Sequence, residues 1–283
     1  MRRLAFFIGL LFASAAQAQC PSNYVLVPNE STYKIGNVCV AKYEMKNVGG
    51  VATSQASGTP WVSVTISAAR SACAALGPTY HLITNSERMT IARKIEATAS
   101  NWSTGIVNSG EINQGHSDVG PNSALAANVD DNQACEGTSQ TCSSTVWDSQ
   151  RRTHNIDNSV LWDFSGNVLE WVDWVIVNTD KASPQSNWIE INASSPTEQM
   201  AKLAYWPVNE TLTSTNLIGK YFPGPTATGG YVGYGGGYNY GIYNSGVFMV
   251  ITNFTSATTD TNLGFRCVTS IRNLTRVHHM GDY

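Results

Sequence analysis

The sequence predicts an α+β fold that consists of two helices, many short strands and much irregular chain. Two segments carry the periodicity and end signals of helices, and short β-prone pieces such as VFMVI and FRCVTSI lie apart from them. Residues 101–157 are rich in Gly, Ser, Asn and Asp and show no sustained periodicity. Together, these observations indicate the α+β class.

The first predicted element is a β-hairpin near the beginning of the chain. Residues 24–44 alternate apolar and polar side chains around Gly36-Asn37, which is typical of two strands joined by a turn. The predicted hairpin carries Cys20 and Cys39.

Two helices are predicted after this hairpin. The first covers residues 67–76 and is stopped by Gly77-Pro78. The second begins at residues 84–87, TNSE, which have the spacing of a capping box. The apolar face of the first helix consists of Ile66, Ala69, Cys73 and Leu76. That of the second helix consists of Ile91, Ala92 and Ile95.

The rest of the chain is predicted to be mostly loops and short strands. A run as long as residues 101–157 usually needs additional means of being held in place, and Cys135 and Cys142 could link one part of it. Residues 178–225 mix short apolar pieces with Pro and Asn, which indicates loops and short strands. No repeat or low-complexity linker divides the chain, so we expect one domain.

The first residues have the pattern of an export signal. Two arginines precede an apolar run over residues 4–13, and Ala16-Gln17-Ala18 resembles a small-residue cleavage site. We therefore expect residues 1–18 to be removed and one domain, residues 19–283, to be exported. The apolar run is too short to span a membrane, and no later run reaches the roughly 20 residues that a spanning helix needs. The periplasm, the cell surface and the medium all stay open as the final location.

The even number of cysteines argues against a lipid anchor, and the charge of the chain argues against nucleic-acid binding. The six cysteines can pair evenly, whereas a lipid anchor on Cys20 would leave an odd thiol in an oxidising compartment. Gln19 also fits lipoprotein processing poorly. Removing two arginines changes the balance of 17 basic and 20 acidic residues to 15 − 20 = −5. Because only 13% of residues are charged and no basic stripe exists, nucleic-acid binding is not expected.

The most informative stretch is residues 236–267, which combines a fixed frame with side chains of mixed character. The frame consists of GG near the start, GVF in the middle and TNLGFRC at the end. No nucleophiles, acids or metal ligands stand at catalytic spacing between these frame residues. Tyr and Asn with small spacers are typical of recognition surfaces, because Tyr offers rigid contact area at low entropic cost. A Gly-rich strand-and-loop region of a β domain is the alternative interpretation.

Several motifs carry a family resemblance. WDFSGNVLEW at residues 162–171 and GFRC at residues 264–267 occur together with CVAKYEMKN and with a block over residues 61–96 that includes HLITNSE. In this order they resemble the formylglycine-generating-enzyme family, whose members are also called sulfatase-modifying factors. The resemblance covers most of the chain after the export signal. It implies a C-type-lectin-like fold, which is an α+β domain with little regular structure.

The same resemblance implies that the chain is not a catalytic member of the family. Catalytic members oxidise a cysteine with two cysteines of their own, in the Gly-rich segment before GFRC. Here that segment reads GGYVGYGGGYNYGIYNSG and contains no cysteine. Copper binding and thiol exchange both need a thiolate, which Tyr, Asn and Gly cannot supply. We therefore expect neither copper nor sulfatase-type oxidation, and an enzyme with altered chemistry is the alternative.

A closer resemblance is to the variable proteins that bacterial retroelements diversify. GVF, a mixed stretch and TNxGFRC support it, together with GHSD at residues 115–118 and QRRT at residues 150–153. In such proteins, adenine-directed mutagenesis rewrites Asn-rich positions to create families of binding surfaces. The resemblance implies a ligand-binding surface formed by Tyr238, Tyr240, Ile242, Tyr243, Asn244, Met249, Ile251, Asn253, Phe254, Thr258 and Asp260. Plain descent without a retroelement is the alternative.

The WDFSGNVLEW turn is also where the family binds calcium. The resemblance implies a structural Ca²⁺ ion held by Asp163, Gly166, Val168 and Glu170. A Gly-containing turn can direct carbonyl oxygens inward, and carboxylates add the charge that a hard cation prefers. The alternative is that Glu170 only hydrogen-bonds the turn that it closes. Asp130-Asp131 could contribute to a second site, although nothing in the sequence fixes its other ligands.

Other candidates for chemistry are weaker. His278-His279 have no acidic partner at a defined spacing, and a tail is the simpler interpretation. No nucleophile elbow indicates Ser-His-Asp chemistry. Trp162, Trp171 and Trp174 could stack on sugars, but tryptophans beside a family motif are more often part of the core.

The resemblance also implies how the cysteines pair. Because the family joins its first helix to its last strand, we expect Cys73 to pair with Cys267. Cys20–Cys39 and Cys135–Cys142 then follow as local pairs.

These inferences predict an exported, non-enzymatic recognition protein. It displays a Tyr- and Asn-rich surface near its carboxyl end, and the expected partner is another protein on a cell or phage surface. Calcium-dependent carbohydrate binding is a further alternative, which would need an exposed ion with open coordination sites.

Overall fold

The structure is a computed structural model that describes residues 20–117, 120–177, 186–191, 207–209, 211–225 and 230–271. The predicted export signal, His278-His279 and Asp118 of the GHSD motif lie outside the described residues. In chain order, the described helices and strands are β1 (Tyr24–Val27), β2 (Val38–Ala41), β3 (Met45–Val48), β4 (Val51–Ser54), α1 (Ile66–Ala74), β5 (Tyr80–Leu82), α2 (Asn85–Glu96), β6 (Thr153–Ile156), β7 (Ser159–Trp162), β8 (Leu169–Ile176), β9 (Ile189–Glu190), β10 (Lys220–Phe222), β11 (Gly230–Tyr234), β12 (Val250–Phe254), β13 (Leu263–Phe265) and β14 (Cys267–Ser270).

The described strands form two larger sheets and two hairpins. The first sheet has the order β1-β2-β14-β5 and is antiparallel throughout. The second has the order β13-β8-β11-β12-β10-β9, in which β13 runs parallel to β8 and β10 runs parallel to β12. The hairpins are β3–β4 and β6–β7. The architecture is therefore α+β, as predicted, and the antiparallel pairing of β1 with β2 confirms the opening hairpin.

Both predicted helices are present, and local signals set their ends. α1 begins after Thr65, whose hydroxyl accepts a hydrogen bond from the Ala68 backbone N–H at 3.2 Å, and it ends before Gly77. α2 begins at the predicted capping box, in which Thr84 and Glu87 satisfy each other's backbone N–H groups. The buried residues of the predicted apolar faces are Ile66, Ala69, Cys73, Ile91, Ala92 and Ile95.

The six-stranded sheet contributes to two hydrophobic clusters, one on each face. Successive side chains of a strand point to opposite faces. Accordingly, Val172 of β8 belongs to the first cluster, whereas its neighbour Trp171 belongs to the second. The first cluster includes Ile91 and Ile95 of α2, and the second includes Ile66 of α1.

Buried arginines hold the irregular stretch over residues 101–157 in place. Arg151 donates to the carbonyl oxygen of Ser144 at 3.1 Å, and Arg152 donates to that of Ala126 at 2.8 Å. Carbonyl groups of a loop without strand partners need other donors when they are buried. Because a guanidinium offers five N–H groups in a fixed plane, one side chain can hold several loop segments.

The described residues contain the three disulfides that the sequence predicts, Cys20–Cys39, Cys73–Cys267 and Cys135–Cys142. Cys73–Cys267 joins α1 to β14 across a sequence separation of 194 residues. Disulfides of this kind are typical of proteins that work in oxidising compartments. Within the part of the chain that the structure describes, no helix is long and apolar enough to cross a membrane.

Candidate functional site

Residues 236–267 contain a buried frame, as the sequence predicts. Phe248 is 0% exposed, and Phe265 and Arg266 are 1% and 0% exposed. Gly246 has a φ of 155°, and a Cβ atom there would lie 2.2 Å from the carbonyl carbon of Ile218. Only glycine tolerates both this backbone conformation and this approach. These frame residues are thus fixed by packing.

Arg266 connects the frame to the WDFSGNVLEW turn. Its Nε donates to Glu170 Oε1 at 2.9 Å, while Arg88 of α2 donates from Nη1 to Glu170 Oε2 at 3.1 Å. All three side chains are buried, and burial lowers the pKa of Arg88 to about 10. Because buried charges are tolerated only when they are paired and hydrogen-bonded, this cluster requires all of its members.

The two carboxylates among the predicted calcium ligands, Asp163 and Glu170, bind arginine side chains. Asp163 accepts from Arg152 Nε and Nη2 at 2.7 and 2.6 Å, and both carboxylate oxygens of Glu170 face arginines. A cation at this turn would therefore meet guanidinium groups instead of free carboxylates. In this arrangement the set Asp163, Gly166, Val168 and Glu170 does not fit Ca²⁺. Among the described residues, no group of three or more His, Cys, Asp or Glu side chains could hold a metal ion.

Asp130 and Asp131, which were considered for a second calcium site, also form hydrogen bonds within the protein. Asp131 accepts from Lys42 Nζ at 2.9 Å and from Trp162 Nε1 at 2.7 Å. Asp130 accepts from the Asn132 backbone N–H at 3.0 Å, which is a local turn bond. These contacts explain Asp130 and Asp131 as structural residues of the irregular stretch.

The loop between β11 and β12 rests on the WDFSGNVLEW turn. The backbone N–H of Tyr238 donates to the carbonyl oxygen of Asn167 at 3.0 Å. Asn167 is itself fixed, because its Nδ2 donates to the buried carboxylate of Glu44 at 2.6 Å. Burial raises the pKa of Glu44 to about 8. The beginning of the loop is therefore supported by a buried polar cluster.

The predicted contact residues of this loop lie at the surface. Tyr243 is 52% exposed and Ile242 is 38% exposed, whereas Tyr238, Tyr240 and Asn244 are half-buried. The Tyr238 ring stacks on the His116 ring with centroids 6.3 Å apart. Ring contacts of this kind hold the tyrosine side chains in defined positions while part of each stays accessible.

Two aromatic residues that the sequence analysis missed extend this surface. Trp188 meets Tyr240 edge-on, with centroids 6.0 Å apart, and it lies 5.2 Å from the ring of Phe222. Both Trp188 and Phe222 are half-buried and pack against the second hydrophobic cluster. Phe222 ends β10, which has three residues, and Trp188 immediately precedes β9, which has two. Both strands are too short for a periodic pattern to be recognised.

Two predicted contact residues, Met249 and Ile251, belong to the core instead. They are 0% and 4% exposed and are members of the second hydrophobic cluster. Ile251 lies in β12, between β10 and β11, and its side chain packs on the α1 side of the sheet. Met249 closes over Gly219, where an added Cβ atom would lie 2.5 Å from the Met249 Cβ. Both positions are therefore part of the frame, and their prediction as contact residues is wrong.

The remaining predicted residues flank the loop. Asn253 and Phe254 are half-buried at the end of β12, where the Phe254 ring lies edge-on to the Trp171 ring at 5.2 Å. Thr258 is half-exposed in the turn that follows, and Asp260 is exposed. These residues are all at least partly accessible, and Phe254 is supported by the buried Trp171.

The three tryptophans that were considered for sugar stacking have core roles. Trp162 and Trp171 are 0% exposed. Trp174 is half-buried and packs against the first hydrophobic cluster. The interpretation of these residues as parts of the core is the one that their burial supports.

Comparisons with known proteins find structural likenesses but no match by sequence. No protein-family model matches the chain, and no curated protein matches it. Among solved structures, the chain is similar to Treponema denticola variable protein 1, with 13% sequence identity and a TM-score of 0.36. The alignment covers 86% of this chain and 90% of that chain. A TM-score of this size does not establish a shared fold.

Proposed function

We propose that the chain is a ligand-binding recognition protein whose contact surface is the loop between β11 and β12 with its flanks. The contact residues are Tyr238, Tyr240, Ile242, Tyr243, Asn244, Asn253, Phe254, Thr258 and Asp260, and they define the recognition surface. The proposal is based on one observation: a single short segment contains both exposed and buried side chains. Its aromatic and amide side chains reach the surface, while Gly246, Val247 and Phe248 beside them are buried. Clustered exposed aromatic residues commonly mark an interaction site.

The side chains and backbone of the recognition surface are held in place by neighbouring residues, so few of them need to become ordered when a partner binds. Tyr238 and Tyr240 are each held by a second ring, and the Tyr238 N–H bond to Asn167 fixes the loop backbone. Side chains that are already ordered lose less conformational entropy when a partner binds. A surface of this kind is suited to direct contact with another macromolecule.

The composition of the surface favours a protein as the partner. Tyr, Asn, Ser and Gly dominate residues 236–246, which is also the composition of antibody-type contact loops. Tyrosine supplies apolar area together with a hydrogen-bonding hydroxyl, and asparagine supplies both a donor and an acceptor. We propose a protein ligand on a cell or phage surface.

The proposal of a non-enzymatic role is supported by the cysteines. All six lie in described residues and are paired in the three disulfides, so none is free for thiol chemistry. The Gly-rich segment before GFRC contains none of them. Cysteine oxidation of the formylglycine-generating type would require a thiolate at that place.

We also propose that the fold is of the C-type-lectin-like type and that the chain is exported after removal of residues 1–18. The contact between Arg266 and Glu170 supports the first point, because it brings together the two motifs on which the resemblance depends. The disulfides support the second. Amino-terminal sequencing of the exported protein should begin at Gln19.

Retroelement diversification of the recognition surface is a separate proposal. It is supported by the sequence pattern GVF and TNxGFRC around the mixed residues. Inspection of the flanking DNA tests it directly. A near-copy of the segment that encodes residues 236–267, differing only at adenines, is the expected finding. Flanking DNA without such a copy and without a reverse transcriptase gene would contradict it.

Panning of phage-displayed random peptides against the purified protein tests the binding proposal. We expect the wild type to select peptides that lose binding to a variant with Tyr238→Ser, Tyr240→Ser and Tyr243→Ser. The matched control is Val51→Ser, because Val51 is 54% exposed on the β3–β4 hairpin and should not affect binding. Failure of the wild type to select any peptide, or equal binding to the tyrosine variant, would contradict the proposal.

A further inference from the structure

Hydrogen-bond acceptors converge at one point of the recognition surface. The Asn262 backbone N–H donates to Asp260 Oδ1 at 3.0 Å, and the Asn262 side chain donates from Nδ2 to Asn239 Oδ1. Burial, and next the charge of Asp260, raise the pKa of Tyr240 to about 12, while a side-chain hydrogen bond with Asn262 acts in the opposite direction. Asn262 therefore contacts Asp260 through its backbone and, through its side chain, Asn239, the residue that precedes Tyr240.

One of these acceptors has no donor within the part of the chain that the structure describes. Asn262 is only 3% exposed, and its Oδ1 atom has no hydrogen-bond partner among the described residues. An acceptor that is buried without a partner carries a desolvation cost that a suitable donor can remove. A ligand that brings an N–H group to this point would therefore be favoured.

The negative charge of Asp260 is not neutralised by a described cationic side chain. Asp260 is exposed, and no described cationic side chain forms an ion pair with it. It is the single charged residue in the sequence over residues 221–265. The recognition surface thus combines one negative charge with the ring of Tyr240, and the face of an aromatic ring attracts cations.

We propose that Asp260, Tyr240 and Asn262 form a binding spot for a basic side chain, arginine or lysine, of a protein partner. This inference rests on the proposed function and specifies the partner. A guanidinium or ammonium group can donate to the free oxygen of Asp260 while it lies against the Tyr240 ring, and it reaches the buried oxygen of Asn262 when that side chain turns outward. An anionic ligand would meet acceptors and a carboxylate, so it is disfavoured.

Peptide panning with three baits tests the proposal. The baits are the wild type, Asp260→Asn and, as a matched loss of one exposed carboxylate elsewhere, Glu111→Gln. Asp260→Asn keeps the oxygen that accepts from the Asn262 backbone, so the turn is expected to stay folded, and the melting temperature checks this.

We expect peptides selected by the wild type and by Glu111→Gln to be enriched in arginine and lysine. A selected peptide should bind Asp260→Asn about tenfold more weakly, which corresponds to losing one charge-assisted hydrogen bond. Selected peptides without basic enrichment, or unchanged affinity for Asp260→Asn, would overturn this inference and leave the proposed function standing. If the wild type selects no peptide at all, both the proposed function and this inference fail.

Discussion

Arg266 and Glu170 are separated by 96 residues of sequence and form a buried contact of 2.9 Å between Nε and Oε1. Glu170 lies in β8 of the six-stranded sheet, and Arg266 directly precedes β14 of the four-stranded sheet. The contact therefore lies where the chain passes from β13 of the six-stranded sheet to β14, beside the end of β11 at which the loop to β12 begins. Gly235, at the start of that loop, accepts from the Gly166 backbone N–H of the same turn at 3.1 Å.

Removing Glu170 should destabilise the fold strongly. Glu170→Ala leaves Arg88 and Arg266 buried without their carboxylate, and breaking a buried pair in this way costs about 3–5 kcal/mol. Asp173→Ala is the matched control, because its pair with Arg70 is about one-third exposed and should contribute at most about 1 kcal/mol. Free energies of unfolding from urea titrations compare the two. Equal losses would contradict the importance given to the buried cluster.

The two disulfides Cys73–Cys267 and Cys135–Cys142 should contribute unequally to stability. They close segments with sequence separations of 194 and 7 residues. In the chain-entropy treatment, the longer closure is worth about 5 kcal/mol and the shorter about 2 kcal/mol. Paired Cys→Ala variants, compared by urea unfolding, measure both values. A larger loss from the Cys135–Cys142 variant would show that chain entropy does not dominate.

Calcium should not stabilise the fold through the WDFSGNVLEW turn. Asp163 and Glu170 already neutralise arginines, so binding an ion there would first require breaking those contacts. We expect the melting temperature to be the same in calcium, in magnesium and in a chelator. A saturable increase with calcium alone would show that the carboxylates can exchange arginine for the ion.

The pair His81–Glu87 should make stability depend on pH. A hydrogen bond that the His81 ring donates to the Glu87 carboxylate raises the pKa of His81 above its ordinary value of 6.5. Since the folded pKa lies above the unfolded one, the stabilisation is complete below pH about 6.5 and is lost as the pH rises through the folded pKa.

Glu87→Gln tests this pH dependence without removing the helix cap, because glutamine also closes a capping box. We expect the variant to lose stability relative to the wild type below pH about 6.5 and to approach it at higher pH. NMR titration of the His81 ring should show a lower pKa in the variant. An unchanged ring pKa would contradict the assignment.

The parts of the fold that the sequence predicted are those set by local signals. The capping box at Thr84 and the stop at Gly77 fix helix ends through neighbouring residues, and the structure confirms both helices. The burial of Phe248 and Phe265 in the frame was also predictable, because phenylalanine side chains are usually buried. The disulfide pairing followed from the family resemblance.

Other features depend on contacts between distant parts of the chain, which local sequence patterns do not specify. The burial of Met249 and Ile251 follows from the strands on both sides of β12 and from the close approach of Gly219. Asp163 forms an ion pair with Arg152, and no sequence motif shows whether this carboxylate binds an arginine or a calcium ion. Trp188, which precedes β9, meets Phe222 of β10 where these two strands pair.

The central claim is that binding and stability separate within residues 236–267. One measurement tests it most directly: a saturation mutational scan of this segment on the cell surface, sorted independently for display level and for binding of a peptide selected by the wild type. Substitutions at Tyr238, Tyr240 and Tyr243 should remove binding and keep display. Substitutions at Gly246, Phe248, Met249, Ile251, Phe265 and Arg266 should remove display itself. If the tyrosine substitutions lower display as much as those in the frame, or leave binding unchanged, the account is contradicted.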